Sequence, residues 1–139
     1  MNDRSAESPV PSLAERRPLS PHLAIYKPSL TMTMSIVHRL TGAALYFGTL
    51  LLVWWVVALA SGPQAFATAQ WFLTSILGRL VLFGYTWALL HHMLGGLRHF
   101  VWDTGAGFDE VWRERLTLFS LIGSIALTLI IWVIAYVVR

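Results

Sequence analysis

Long stretches without charge dominate the pattern of hydrophobic and polar positions along the chain. No charged side chain occurs from Leu40 to Gly78, and a Ser-Gly-Pro tripeptide at 61–63 interrupts this run. Glycine and proline together mark a break between helices. The pattern therefore predicts a first apolar helix over about 35–60 and a second over about 67–102.

A third uncharged stretch covers residues 116–138. Since about 20 apolar residues suffice for a helix to cross a bilayer, each of the three stretches is long enough to span a membrane. The sequence therefore predicts an all-α membrane protein. Its three-helix transmembrane domain occupies 35–139, and a polar, proline-containing arm occupies 1–34.

Arg79 is the unexpected residue in the second predicted helix. It lies 19 positions before Arg98, which corresponds to about 28 Å along an α-helix. That length is close to the roughly 30 Å hydrocarbon thickness of a bilayer. The two arginines are therefore predicted to bracket the span, with each side chain reaching its own membrane surface.

The basic residues also predict an orientation in the membrane. Five of them occur up to Arg39 and three in the 98–115 loop, whereas the connection between the first two helices has none before Arg79. The positive-inside rule then places the N-terminus in the cytoplasm and the C-terminus on the opposite side. The start of the first helix and the end of the second are expected at the same surface.

Composition excludes several classes of function. Hydrophobic residues make up 56% of the chain and charged residues only 12%, against about 25% charged residues in average soluble domains. The net charge of +3 is spread along the sequence, without the cluster that nucleic-acid binding requires. There is no cysteine, so the chain offers no thiolates for an iron–sulfur cluster.

Small residues surround a histidine in the second predicted helix. Gly84, Ala88, His92 and Gly96 recur every four positions and so share one face of the helix. A flat porphyrin edge fits such a groove, with His92 reaching the iron. The same spacing is also typical of close helix–helix packing in membranes, where His92 would only bond a neighbouring helix.

A second polar cluster lies at the start of the first predicted helix. Ser35, His38 and Arg39 are spaced to share one face, and together they could hold a polar headgroup. Alternatively, Arg39 is only an interfacial anchor that meets lipid phosphate. Expected proximity to Arg98 and His99 at the same surface favours the functional interpretation.

The segments "RPLSPHLAIYKP…SIVHRLTG" and "HHMLGGLRHFVWDTG" contain both clusters. In order and spacing they resemble the cytochrome b556 subunits of succinate dehydrogenase, the larger membrane anchors of respiratory complex II. The resemblance covers about residues 16–139 and implies three transmembrane helices.

The resemblance implies that His92 is an axial ligand of a b-type haem, so that its imidazole binds the iron, and that a second, smaller anchor subunit supplies the other ligand. His91 is a poorer match, because it points about 100° away around the helix and has the wrong spacing to Gly96. His38 is expected near the haem propionates. Three further residues are expected at the haem, namely Arg39, Arg98 and His99.

For ubiquinone, the resemblance implies a binding site that contains Ser35 and Arg39. Arg39 would offer fixed positive charge and hydrogen-bond donors to a quinone carbonyl, and Ser35 would donate to the same headgroup. No residue of this chain is expected to oxidise succinate. Iron–sulfur and flavoprotein subunits are therefore expected partners, together with the lipid bilayer of a bacterial cytoplasmic membrane rather than a mitochondrial one.

Three alternatives remain open at this point. An autonomous membrane b-type cytochrome would pair His92 with His38 around one haem. A histidine-lined metal or proton transporter would use the same residues as a path, although the third helix has no ionisable side chain to extend it. The anchor of a fumarate reductase would have the same architecture with the reaction reversed.

Overall fold

The structure, a computed structural model, describes Ser12, Arg17 and residues 25–138. This part of the chain contains helices and no strands. The helices are α1 (Leu30–Ala60), α2 (Pro63–Thr74), α3 (Ile76–Asp103) and α4 (Glu110–Val137). Helices α1, α3 and α4 are long and apolar enough to cross a membrane. The predicted fold class, an all-α membrane protein with three spans, is confirmed.

Helix α1 starts earlier than predicted. The hydroxyl of Ser29 accepts a hydrogen bond from the backbone N–H of Met32 at 3.3 Å, which satisfies one of the free donors of the first turn. The last five residues of the predicted 1–34 arm are therefore helical, whereas most of that arm lies outside the described residues. At its other end, α1 stops as predicted, since Gly62 has φ +109° and Pro63 begins α2.

The predicted helix over 67–102 is two helices, which meet at Ser75. The backbone of Ser75 is extended, with ψ 162°. Its hydroxyl donates to the carbonyl of Phe72 at 2.6 Å and accepts from the N–H of Gly78 at 3.1 Å. One residue thus caps the end of α2 and the start of α3. The prediction was wrong here because the break contains no glycine–proline signal.

Helix α4 begins at Glu110, before the apolar stretch that starts at residue 116. Asp109 caps it by accepting from the N–H of Trp112 at 3.1 Å. The helix therefore includes the charged residues that the apolar pattern left out. In the preceding loop, Gly105 and Gly107 have positive φ angles, which glycine adopts without steric cost.

Helix α3 packs against both α1 and α4. The start of α1 and the end of α3 lie together, because the ring of His38 contacts those of His92 and His99. We call this the histidine end of the bundle. The opposite end, called the α2 end, contains α2 and the first turn of α3, where Arg79 lies. Arg79 and Arg98 therefore lie at opposite ends of α3, but Arg98 is buried and does not extend to the surface as predicted.

Candidate functional site

Two histidines on neighbouring helices bond to each other's backbone. His38 of α1 places Nε2 3.2 Å from the carbonyl oxygen of His92, and His92 of α3 places Nδ1 3.0 Å from the carbonyl oxygen of His38. Their rings stack at 4.1 Å with an interplanar angle of 9°. The hydroxyl of Thr41 donates to the same His38 carbonyl at 2.9 Å. We call His38 and His92 the histidine pair.

This geometry fixes the protonated nitrogen in each ring. A carbonyl oxygen only accepts hydrogen bonds, so the proton is on Nε2 of His38 and on Nδ1 of His92. When neutral, His92 then carries its lone pair on Nε2, which has no hydrogen bond with the described residues. Histidines that bind metals usually donate their other N–H to a carbonyl or carboxylate in this way.

Glycines allow the histidine pair to form. A Cβ at Gly95 would overlap the ring of His38, and a Cβ at Gly42 would lie 2.8 Å from Cε1 of His92. Gly96 is one helical turn from His92 and hence on the same face. A Cβ at Gly96 would meet nothing within 4 Å. The face of α3 that carries the half-buried imidazole of His92 is therefore uncovered one turn further on, at Gly96.

His91 has entirely different surroundings. It is only 2% exposed and faces α4, where its Nδ1 lies 3.2 Å from the hydroxyl oxygen of Ser124. That hydroxyl already donates to the carbonyl of Leu121 at 2.8 Å, so it accepts from His91. Trp87 covers the ring at a centroid distance of 5.2 Å. No room remains beside this imidazole for a large ligand.

The residues of α4 that form this contact were not predicted from the sequence. Four hydroxyl residues at intervals of three and four positions are each at most 1% exposed. Each donates to a carbonyl of the preceding turn of α4. We call this row the hydroxyl seam; it consists of Thr117, Ser120, Ser124 and Thr128. Small hydroxyl residues at helical spacing are typical of helix interfaces in membranes, and that periodicity was the available signal.

Arg98 also faces α4. It is buried, its Nη1 donates to the hydroxyl of Thr117 at 3.0 Å, and its guanidinium lies over the ring of Trp102 at 5.1 Å. Its Nε is buried without a hydrogen-bond partner. Arg98 and His99 were expected to lie close to the polar cluster at the start of α1, which consists of Ser35, His38 and Arg39. This expectation is only partly met. The exposed His99 lies 5.4 Å from His38, measured between ring centroids, whereas Arg98 lies in the α3–α4 interface.

The side chains of the polar cluster at the start of α1 also point in two different directions. His38 turns inward to α3, while Ser35 and Arg39 are exposed. The latter two are one helical turn apart and so share a face. Their side chains are accessible at the histidine end, within one turn of the histidine pair.

Fold and site together define a membrane subunit with three spans and a histidine-containing contact between two of them. The chain matches the family described as succinate dehydrogenase/fumarate reductase transmembrane subunit over residues 14–133. It therefore belongs to that family.

Individual relatives agree with this assignment. The succinate dehydrogenase cytochrome b556 subunit of Paracoccus denitrificans is 40% identical over 121 residues, which cover 87% of this chain and 93% of the relative. The protein of the same name from Rickettsia prowazekii is 39% identical over 118 residues, covering 85% and 92%. The cytochrome b560 subunit of Reclinomonas americana is 36% identical over 124 residues, covering 85% of each chain.

Proposed function

We propose that this chain is a membrane anchor of succinate:ubiquinone oxidoreductase that binds b-type haem through His92 and forms part of the ubiquinone-reduction site through Ser35 and Arg39. The relatives are named as cytochrome b subunits of succinate dehydrogenase, which supports haem as the cofactor. When bound, haem b would supply a one-electron redox centre close to the quinone.

The histidine pair is the observation that carries the proposal. It orients His92 through Nδ1 and leaves Nε2 unpaired on a half-buried ring, and the same helix face is uncovered one turn further on, at Gly96. His91 has no comparable space, because Trp87 and α4 enclose it. The residues present therefore fit His92 as a residue that would hold haem, and another anchor subunit would supply the second ligand.

The haem propionates would lie toward the histidine end, where His38, His99 and Arg39 are found. His38 uses Nε2–H within the histidine pair, which leaves Nδ1 for a propionate or an ordered water. Arg98 could contribute through Nε–H, the donor that has no partner in the described structure. Burying such a donor unpaired is costly, so a carboxylate within its reach would stabilise it.

The quinone headgroup would lie against the exposed side chains of Ser35 and Arg39. Arg39 stays charged under all physiological conditions and is placed to stabilise negative charge that develops on a quinone oxygen. The Ser35 hydroxyl donates a hydrogen bond to the same headgroup and can pass on a proton. The isoprenoid tail would lie along apolar helix surfaces.

Electrons would reach this site from an iron–sulfur subunit, which in turn receives them from a flavoprotein subunit. This chain has no cysteine and so cannot hold an iron–sulfur cluster on thiolates. The distribution of arginines supports a cytoplasmic N-terminus and an external C-terminus, in a bacterial cytoplasmic membrane. Both partner subunits would then dock at the histidine end.

The orientation has a direct test. Reporter fusions at Ser5 and after Arg139 are expected to localise to opposite sides of the membrane, with the Ser5 fusion in the cytoplasm. Fusions that localise to the same side would contradict an odd number of spans.

Two alternatives are disfavoured by specific observations. An imidazole binds iron through a lone pair in the plane of its ring, so the stacked rings of His38 and His92 cannot clamp one iron between them as in an autonomous cytochrome. For a metal transporter, no group of three or more His, Cys, Asp or Glu in the described part of the chain is arranged to hold a metal ion. Fumarate reduction differs from the proposal only in direction.

Ser35→Ala and Arg39→Leu test the quinone site. A lost hydrogen bond to a charged group costs about 1.5–3 kcal/mol, and each 1.36 kcal/mol is about tenfold in rate. Ubiquinone reduction should fall roughly ten- to a hundredfold in each variant, with the larger loss in Arg39→Leu. Succinate oxidation with a water-soluble dye should persist, because succinate is oxidised on other subunits. Both activities are measured on the same membranes and normalised to assembled flavin.

Matched controls are Thr49→Ala and Arg115→Leu. The hydroxyl of Thr49 is exposed on α1 and bonds only its own helix, and Arg115 is an exposed arginine on α4. Both controls should retain quinone reduction. A parallel loss of both activities in the Ser35 and Arg39 variants would assign those residues to assembly. Unchanged quinone reduction in both would mean that the quinone site lies elsewhere.

A further inference from the structure

A cavity of about 530 Å³ opens at the α2 end of the bundle, and its nearest lining residue on α3, Tyr85, is about two helical turns from His92. All four helices contribute to its wall, which is mostly apolar and aromatic. The residues that matter for its chemistry are Trp55, Gln70, Arg79, Leu82, Tyr85 and Trp132. Its volume is within the range of about 300–1,000 Å³ that is usual for small-molecule sites.

Arg79 places a permanent positive charge in this apolar wall. The side chain is half-buried, and the sequence contains no Asp or Glu between residues 16 and 102 or between 115 and 139. Every acidic side chain after Glu15 therefore occurs within 103–114, at the histidine end. The transmembrane helices therefore offer no carboxylate side chain at the α2 end that could compensate the charge of Arg79.

The position of the cavity favours an amphiphile over a wholly polar anion. Arg79 lies in the first turn of α3, where the span enters the membrane, while Leu82 and Tyr85 follow one and two turns deeper. Trp55 and Trp132 belong to the aromatic residues that are typical of the membrane interface. A ligand that fits this arrangement carries negative charge at the interface and an apolar chain directed inward.

We propose that this cavity binds an anionic phospholipid, with its phosphate at Arg79 and one acyl chain between Trp55, Leu82 and Trp132. Arginine pairs well with phosphate because its planar guanidinium presents several donors at once. The cavity would take one acyl chain and leave the other in the bilayer. A quinone has no negative charge to pair with Arg79. The cavity is also separate from the proposed quinone site, which lies at the histidine end.

The test uses the assembled complex in phosphatidylcholine nanodiscs. A phosphatidylglycerol with a photoreactive group in its acyl chain is added, and the labelled peptides are identified by mass spectrometry after irradiation. Labelling is expected on the cavity-lining segments of α1, α3 and α4. The matching phosphatidylcholine probe has the same phosphate but also a positively charged choline, which Arg79 repels, so it should label these segments about tenfold less.

Four variants separate charge, shape and folding. Arg79→Gln should lower phosphatidylglycerol labelling about ten- to a hundredfold, whereas Arg79→Lys should retain most of it. Ala135→Phe fills the cavity and should reduce labelling with Arg79 intact. Arg115→Gln removes an exposed arginine at the histidine end and should leave labelling unchanged. Succinate oxidation by dye reports assembly for each variant.

Several results would overturn the proposal. These are equal labelling by the two probes, no effect of Arg79→Gln, and no labelling of the cavity segments in the intact complex. Displacement of the probe by a short-chain ubiquinone but not by unlabelled phosphatidylglycerol would assign the cavity to a quinone instead. None of these outcomes depends on haem or on Ser35 and Arg39, so this proposal and the proposed function can fail separately.

Discussion

His91 and His92 are adjacent in the chain, yet the structure gives them opposite environments. His91 faces α4, where Ser124 and Trp87 enclose its ring. His92 faces α1, where it bonds the backbone of His38 and keeps one nitrogen unpaired. The α4 face of helix α3 uses its polar groups for packing, and the α1 face keeps one available for a ligand.

This comparison shows why residue type alone does not identify a site in a membrane helix. Polar groups in the apolar layer need hydrogen-bond partners, and on the α4 face the hydroxyl seam provides them. On the α1 face the partners are backbone carbonyls, which fix the orientation of the imidazole without using its second nitrogen. The functional signal is an oriented histidine that keeps one nitrogen unpaired.

Among the variants that test the difference between the two histidine environments, Gly95→Ala is expected to have the largest effect. The new Cβ would overlap the ring of His38, so the histidine pair must separate. Overpacking of this kind costs about 1–3 kcal/mol, and His92 would lose its orientation. The assembled complex should denature at lower temperature and its haem spectrum should change.

Gly84→Ala is the matched control on the same helix. A Cβ at Gly84 meets nothing within 4 Å, and alanine is the better helix former by about 1 kcal/mol. The denaturation temperature of this variant should be unchanged or slightly higher, because the histidine pair is not disturbed. If the two alanine variants denatured at the same temperature, this result would contradict the close contact between α1 and α3.

Ser124→Ala should have the smallest effect and concerns the other face. It removes the acceptor for Nδ1 of His91, and hydrogen bonds between membrane helices average about 0.6 kcal/mol. A slightly lower denaturation temperature is expected, with haem content and quinone reduction unaltered. Ser120→Ala serves as control, because the Ser120 hydroxyl bonds only within α4. A marked loss of haem in Ser124→Ala would mean that the α4 face also holds the cofactor.

The lengths of the uncharged stretches were enough to predict the three spans, because the thickness of the bilayer sets how many apolar residues a spanning helix needs. The junction at Ser75 was not predicted, because a single serine caps both helices without glycine or proline at the break. Likewise, the start of α4 depends on the cap at Asp109 rather than on hydrophobicity.

At the candidate site, sequence spacing predicted which residues share a helix face but not which neighbour that face meets. The segments that contain His38 and His92 come together as expected, but the direct stacking of the two rings was not predicted. Arg98 instead bonds Thr117, since its direction depends on how α3 sits between α1 and α4. The hydroxyl seam could have been predicted from its spacing, but serine and threonine indicate a polar contact less strongly than ionisable residues do.

The most direct test of the central claim is the haem spectrum of the assembled complex that carries His92→Leu or His91→Leu. Pyridine haemochrome content and the low-spin signal of a haem with two axial ligands are measured and normalised to flavin. His92→Leu is expected to lose or severely perturb the b-haem signal, while His91→Leu is expected to retain a bis-axial spectrum. Retention of the signal in His92→Leu together with its loss in His91→Leu would contradict the assignment.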